Sequence, residues 1–170
     1  VVNGIANFTD IPIYEGTLLT SNFTYSSRNP NQKYILPNSG IDTALLRVTV
    51  QSSQSSTQKV KYSAQDDLFE LGSSSKVYFL QEIENERYEL FFGDGVFGQA
   101  LEEGNYITAN YIVSNGDSAN GVSQFSYSGR ITYTRNSIEY TVTSGISLLN
   151  TGIISTGGES IESVESIKKF

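Results

Sequence analysis

Cysteine and histidine are both absent from this chain of 170 residues. The lack of cysteine excludes disulfides, thiolate catalysis and cysteine-based zinc sites. The lack of histidine removes the usual general base, the usual metal ligand and every Ser–His or Cys–His nucleophile pair. Any catalysis would have to use carboxylates, lysine, tyrosine or threonine. We therefore expect a protein that is not an enzyme and that holds no cofactor and no metal.

Charged residues are also scarce, at 17% of the chain, and they are unbalanced, with 18 acids against 11 bases and a net charge of −7. A net negative chain repels phosphate backbones and anionic lipids, so we expect no nucleic acid and no membrane surface among its partners. No apolar run approaches the roughly 18 residues that a membrane-spanning helix needs. Protein–protein contacts and uncharged ligands remain.

Tyrosine and phenylalanine are plentiful, and apolar residues alternate with polar ones in many short segments. Alternation with a period of two is the pattern of half-buried β-strands, and turn residues recur every 8–12 residues or so, as in sandwiches and barrels. The sequence predicts a mainly β fold of antiparallel, sandwich-like sheets with hairpins. The predicted strands are residues 11–14, 17–25, 33–36, 46–50, 59–62, 76–83, 87–92, 105–114, 131–134 and 138–143.

One short helix is predicted at the end of the chain. Gly157 and Gly158 interrupt the β pattern, and Ile161, Val164 and Ile167 then recur at helical spacing. Acidic residues come early and lysines late, which is the order that the helix dipole favours. We expect residues 157–170 to begin a truncated helix whose apolar stripe is a candidate interface, and the chain to be a piece of a longer protein.

A glycine-rich loop follows the strand predicted at 87–92. Gly93, Gly95 and Gly98 match the G-x-G-x-x-G pattern of dinucleotide-binding loops, which requires a helix of ten or more residues next. Only one helical turn fits before Gly104. The loop is better interpreted as a connection between antiparallel strands, with Gly93, Asp94, Gly95 and Gly98 as turn positions at which glycine supplies positive φ.

Acidic residues are concentrated around this loop, with a single base, Arg87, among them. Their oxygens could form a calcium site, although no recognised ligand spacing is present. Asp94 with Glu102 could also supply the two carboxyl groups of a glycosidase, provided that both face one cleft. The third interpretation is an ordinary solvated surface. The acids are Glu82, Glu84, Glu86, Glu89, Asp94, Glu102 and Glu103.

Four segments together resemble the baseplate wedge proteins of contractile-tailed phages, and in particular the baseplate J-like family. The longest is YELFFGDGVFGQALEEGNYITANY at residues 88–111. The opening segment IPIYEGT resembles the start of a β-domain in that family, and SANG matches a later stretch. The fourth segment, in which Asn150, Thr151 and Gly152 precede GGESIES, resembles the family's lead into a helix. The segments occur along nearly the whole chain in the family's order.

The resemblance implies a structural part of a virion tail baseplate, assembled in the host cytoplasm, with no catalytic residues. Such a protein pairs with itself and with other wedge proteins in the ring around the tail hub. From the apolar stripe of the truncated helix we expect the self-association to be a homodimer. Gly93, Gly95, Gly98, Gly157 and Gly158 would be positions that shape the backbone. A carbohydrate-binding or adhesin-type β-domain is the alternative, because tyrosine-rich strands can form a platform on which sugars stack.

The family's opening and closing motifs lie in the flanks, whereas the densest run of predicted hairpins lies in the middle. We therefore expect an inserted β-sandwich domain at residues 41–114. Residues 1–40 and 115–156 would form a flanking β-domain, followed by the truncated helix at 157–170.

Overall fold

Nine β-strands and one single-turn 3₁₀ helix, Gly116–Ala119, make up the regular structure of the described residues. The computed structural model describes residues 5–67, 71–149 and 152–159. The predicted terminal helix, with Ile161, Val164 and Ile167, lies outside these residues. The strands are β1 Thr17–Thr24, β2 Tyr34–Leu36, β3 Ile41–Gln51, β4 Val60–Ala64, β5 Val77–Ile83, β6 Arg87–Phe92, β7 Tyr106–Val113, β8 Ile131–Arg135 and β9 Ile138–Val142.

The chain divides into two units, Val1–Asn115 and Gly116–Phe170. The first contains a seven-stranded sheet in the order β1-β7-β3-β4-β5-β6-β2, and the second contains the pair β8-β9. The predicted mainly β fold class is confirmed. The strand predicted at residues 11–14 is wrong, since these residues form no strand. No helix of the described residues is long and apolar enough to cross a membrane.

Strand pairing in the first unit is antiparallel except between β4 and β5, which run parallel. β1 and β7 pair along their whole lengths, from Thr17 opposite Val113 to Thr24 opposite Tyr106. β2 pairs with β6, with Tyr34 opposite Leu90. β1 and β2 are therefore the two edge strands of the sheet.

This pairing differs from the expected insertion of a separate domain at 41–114. Both strands within residues 1–40 hydrogen-bond to strands inside that range, β1 to β7 and β2 to β6. The physical reason is that apolar side chains of these strands are buried in the same core. Leu19 and Phe23 lie opposite Tyr111 and Ile107 on the same face. The two flanking strands thus complete one core with residues 41–114.

The sheet curls until its two edges meet on the core side. Phe23 of β1 packs edge-on against Tyr34 of β2, with ring centroids 5.6 Å apart. Phe92 continues the cluster, with centroids 5.5 Å from Tyr34 and 5.8 Å from Tyr62. Edge-to-face contacts of this kind add to the gain from burying the rings. The buried core consists of Tyr34, Leu36, Ile41, Leu46, Val48, Val50, Tyr62, Tyr78, Leu90, Ile107, Ala109 and Tyr111.

Burial in and around this core shifts the pKa of several tyrosine hydroxyl groups. Burial raises the pKa of Tyr34 from 10.0 to about 12, with a smaller contribution from Tyr25. Burial also raises the pKa of Tyr62, Tyr78 and Tyr88. Tyr111 donates a hydrogen bond of 2.7 Å to Asn38 Oδ1. Burial therefore favours the neutral form of Tyr34, Tyr62, Tyr78 and Tyr88.

We expect the first unit to lose stability as the pH rises from about 10 to 12. In that window an unfolded chain ionises Tyr34 while the folded chain keeps the proton, so unfolding is favoured with rising pH. The urea midpoint, measured at pH 8 and at pH 11 by circular dichroism, should fall. Tyr34→Phe should show a smaller fall, and an equal fall in both proteins would contradict this assignment.

The second unit has no buried core among its described residues. β8 and β9 form a hairpin in which Arg135 lies opposite Ile138. Asn136 and Ser137 between them have φ of 52° and 62°, as a two-residue type I′ turn requires. Every described residue from 116 onward is exposed or only half-buried. This unit therefore presents its apolar side chains to its surroundings.

Candidate functional site

The glycine-rich loop is shaped by close contacts of its own backbone. A Cβ atom on Gly93 would lie 2.6 Å from Gly98 Cα and closer still to the Gly98 carbonyl group. Gly95 and Gly98 have φ of 90° and 92°, a region that side chains disfavour. Gly98 N–H donates to Gly72 O at 3.1 Å, and Gln99 N–H donates to Ser75 O at 2.8 Å. The loop is thereby fixed to residues 72–75.

The side chain of Asp94 stabilises the same loop through hydrogen bonds to its backbone. Its Oδ1 accepts hydrogen bonds of 2.8 Å from the backbone N–H groups of Val96 and Phe97. The bond from Phe97, then that from Val96, lowers the pKa of the Asp94 carboxyl group. Asp94 is thus a turn-forming residue whose carboxylate is already occupied by the loop.

The dinucleotide interpretation of this loop finds no support in the part of the chain that the structure describes. No helix follows Gly98, and β7 begins at Tyr106. β6 and β7 run antiparallel but are not neighbours, because three strands separate them in the sheet. The loop is a crossover between two halves of one sheet.

The acidic residues are dispersed over several loops and strands. Glu89 is buried on β6, and its carboxylate accepts a hydrogen bond of 3.1 Å from Lys33 Nζ, beside β2. Glu103 accepts hydrogen bonds from Ser27 and Ser26, and the bonds from Ser27 contribute most to the lowering of its pKa. Among the described residues, no group of three or more carboxylates gathers into a site for a metal ion.

The opening segment is anchored beside the end of β7. Glu15 accepts a hydrogen bond of 2.9 Å from Asn115 N–H and another from the Asn115 side-chain amide. Gly16 has φ of 131°, and a Cβ atom there would lie 2.5 Å from Val113 O. Only glycine fits between the anchor and the first residue of β1. The preceding residues carry exposed side chains throughout residues 5–14.

Two segments of the second unit that the sequence singled out are joined by hydrogen bonds. Asn120 Nδ2 donates to Gly158 O at 2.8 Å, and Gly158 N–H donates back to Asn120 Oδ1 at 3.0 Å. Ser155 exchanges backbone bonds with Gly121 and Val122. Gly157 has φ of 91°, and a Cβ atom on Gly158 would collide with the carbonyl group of Gly116. Both glycines thus occupy positions at which the backbone shape excludes other residues.

Two sets of tyrosines bear on the possibility of a stacking platform for a ligand. Tyr34, Tyr62, Tyr78 and Tyr111 lie in the core, where a ligand cannot stack on them. Tyr133 and Tyr140 pair across the β8-β9 hairpin, with centroids 5.3 Å apart and planes at 16°. Both are about half exposed.

The strongest candidate surfaces for function are apolar rather than catalytic. In the second unit Ile131 and Ile138 are exposed beside Tyr133 and Tyr140, and Leu149 is 88% exposed. Both strands were predicted from the sequence, within a flanking β-domain in which half-buried strands bury one face. Their alternation resembles that of a core strand, so the pattern alone gives no sign that the face is open.

A second exposed apolar segment precedes β1. We call residues 5–14 the arm. Its large side chains are 57–74% exposed, and they belong to Ile5, Phe8, Ile11, Ile13 and Tyr14. Single exposed apolar residues are ordinary, but contiguous patches mark interaction surfaces. The sequence predicted a strand at residues 11–14 and a family resemblance in IPIYEGT, but not the exposure of this segment.

Two comparisons with known proteins address the family to which the chain belongs. A search of individually curated proteins gives no match. Residues 17–127 match the family described as "Bacteriophage baseplate wedge protein gp6, third domain". The match extends through the whole seven-stranded sheet and over more than half of the chain. The chain therefore belongs to the bacteriophage baseplate wedge protein gp6 third-domain family.

Proposed function

We propose that the chain is a structural component of a phage tail baseplate, in which it joins other wedge proteins and further copies of itself in the ring around the tail hub. Within the wedge proteins we assign it to the baseplate J-like group, on the order of its four matching segments. It acts by presenting surfaces to its partners, without enzymatic activity and without a cofactor. Its site is the virion tail baseplate, after assembly in the host cytoplasm.

The observation that carries this proposal is the exposure of the apolar side chains of the second unit. None of its described residues is buried, while Ile131, Tyr133, Ile138 and Tyr140 lie exposed on one hairpin. A two-stranded hairpin is marginally stable in water unless its apolar face packs on another surface. A subunit of an assembly supplies such a surface through its neighbours, so the exposed hairpin fits a structural part better than a free-standing binding domain.

The carboxylates of the first unit support the non-catalytic role. General acid–base and nucleophilic mechanisms need carboxyl groups that are free to meet a substrate in a cleft. Glu89 is paired with Lys33. Asp94 accepts hydrogen bonds from backbone N–H groups of its own loop, and Glu103 accepts one from Ser27 N–H in the loop after β1. These acids stabilise the loops and the sheet edge.

The test combines location with assembly in the phage that encodes the chain. Antibody against the chain should label the baseplate in electron micrographs of purified virions. A phage carrying Tyr133→Ser and Tyr140→Ser should give assembled tails at a level reduced at least tenfold, because the hairpin loses its aromatic contact face. The matched control is Thr132→Ser with Thr141→Ser, which alters the opposite face of the same hairpin at another cross-strand pair.

Labelling of the head or of tail fibres would overturn the proposal. Equal loss of tails in both double variants would show that the hairpin's fold, and not its aromatic face, matters, and would remove the observation that carries it. Binding to a glycan array, abolished by the tyrosine variant alone, would favour the carbohydrate-binding alternative.

A further inference from the structure

The two edge strands of the seven-stranded sheet differ in their length and in their protection against pairing with a further strand. β2 is only three residues long, with Lys33 just before it and Pro37 just after it. Short length, lysine and proline are the devices by which proteins protect a sheet edge from further pairing. β1 has eight residues, TLLTSNFT, without a charge or a proline. The edge at β1 is therefore the one left open to another strand.

The hydrogen-bonding groups that point away from β7 on β1 can be identified from the neighbouring contacts. Tyr25 N–H donates to Asn105 O, and Tyr25 O accepts from Gly104 N–H, so this position bonds on the β7 side. The carbonyl group of Thr24 points the other way and accepts a hydrogen bond of 2.6 Å from Gln32 Nε2. Since bonding direction alternates along a strand, the outward groups belong to Leu18, Thr20 and Asn22.

These outward groups have no other protein partner within the described residues. The loop from Ser26 to Gln32 covers the end of β1 at Thr24, whereas the side chain of Leu18 is 70% exposed. Unpaired backbone groups in a row form a template for an added strand. The open stretch of β1 is thus its first half, from Thr17 to Ser21.

The same chain contains a segment with the character of a strand that pairs with no other strand of the described residues. Residues 11–14, IPIY, alternate in the manner of a strand and carry apolar side chains that are 57–63% exposed. Asp10 has φ of 55°, so an extended run begins only after it. Four residues in a strand span about 13 Å, enough to cover the open half of β1.

The geometry keeps the arm from folding back onto β1 of its own chain. Thr17 lies opposite Val113, and Glu15 bonds to Asn115, so the chain continues the line of β1 beyond the end of the sheet. A return along β1 would need a sharp turn at Glu15 and Gly16. Glu15 is held by Asn115, and Gly16 is packed against Ile112 and Val113. The arm is directed away from the sheet that it leaves.

Pro12 fits one particular pairing. On an added antiparallel strand, Ile11 and Ile13 would direct their N–H and C=O groups toward β1, while position 12 would face outward, where a missing N–H is harmless. Residues directly opposite one another share a face. An isoleucine of the arm would then lie opposite Leu18 and cover its exposed side chain. Pro12 would protect the new edge from further addition.

We propose that residues 11–14 of one copy add as an antiparallel strand to the open edge of β1 in a second copy, and that two copies exchange arms in this way. The proposal deepens the self-association proposed above and rests on it. The arm supplies the strand that β1 lacks, and β1 supplies the partner that residues 11–14 lack. The contact uses no charged side chain, so the net charge of −7 per chain does not set its specificity.

The test uses complementation between two variants of the 170-residue chain, one of them isotope-labelled, observed by native mass spectrometry and sedimentation at micromolar concentrations. Leu18→Pro removes an outward N–H from the edge, and Ile11→Pro with Ile13→Pro removes the inward N–H groups of the arm. Each variant alone should dimerise at least tenfold more weakly than the parent. Mixed together, they should form a heterodimer, because one intact arm then meets one intact edge.

Tyr14→Pro is the matched control, because position 14 faces outward like Pro12, and this variant should keep the parent's dimer affinity to within about threefold. A monomeric parent, a mixture that stays monomeric, or an arm variant that dimerises like the parent would overturn arm exchange. The arm variants keep the test decisive if Leu18→Pro fails to fold, since residues 11–14 make no strand in the monomer. Baseplate labelling and the tyrosine variants judge the proposed function separately, since they do not depend on the arm.

Discussion

Replacing Gly93 by alanine is expected to lower the free energy of unfolding of the first unit by about 3–5 kcal/mol. The new methyl group would lie 2.6 Å from Gly98 Cα and nearer to the Gly98 carbonyl group, which are backbone atoms that cannot rotate away. The loop cannot shift freely, because Gly98 and Gln99 are hydrogen-bonded to Gly72 and Ser75. Relief of the clash would require these bonds to break.

Gly72→Ala is the matched control in the same region. A Cβ atom on Gly72 would meet no atom within 4 Å, and its φ is not positive. This substitution should change the unfolding free energy by no more than about 0.5 kcal/mol. Urea unfolding followed by circular dichroism measures both variants. A Gly93→Ala protein as stable as the parent would mean that the loop is less tightly packed than its geometry indicates.

Replacing Leu90 by alanine is expected to cost about 2–5 kcal/mol of stability. Leu90 is 1% exposed at the centre of β6, opposite Tyr34 of β2 on one side and Leu80 of β5 on the other. Removal of the side chain leaves a cavity among three strands whose backbones are fixed by their hydrogen bonds. The loss therefore includes both the transfer of the leucine side chain and the unfilled volume.

Leu18→Ala provides the matched control for this variant, because the Leu18 side chain is 70% exposed on β1. Its effect on the unfolding of the monomer should stay within about 0.5 kcal/mol, the ordinary range for surface substitutions. Thermal unfolding at low protein concentration compares the two. Similar losses in both variants would contradict the assignment of Leu90 to the core.

Local features of this fold were predictable because local residues determine them. The hairpin β5-β6 joins two strands, predicted at residues 76–83 and 87–92, across three residues, and Ile83 lies opposite Arg87. The β8-β9 hairpin was equally visible. In β3 the sequence predicted only residues 46–50, because the register shifts between Asp42 and Arg47 and the alternation is broken there.

Pairing between distant segments could not be predicted in the same way. Nothing in the alternation of β1 specifies that its partner is β7, and the parallel pair β4-β5 has no signature in either strand. The expected insertion of a domain followed from the position of motifs in the flanks, whereas the actual partners are decided by which apolar rows share a core. Residues 11–14 show the converse, since they alternate like a strand but pair with no strand among the described residues.

The turn glycines were visible in the sequence, but the reason for each required the structure. Gly95 and Gly98 have the positive φ that turn chemistry leads one to expect. At Gly93 a side chain is excluded by Gly98 of the same loop, whereas at Gly158 it is excluded by Gly116, which approaches from a distant part of the sequence. Such an approach depends on tertiary contacts and leaves no local pattern.

The pairing of the first strand with the seventh has a consequence for the chain as it is synthesised. β1 leaves the ribosome ahead of β7 by roughly 80–100 residues, which at bacterial elongation rates corresponds to about 5–20 s. During this interval β1 is a polar but uncharged strand without its partner, and β2 likewise waits for β6. The pairing of β1 with β7 therefore cannot be complete until residue 113 has left the ribosome.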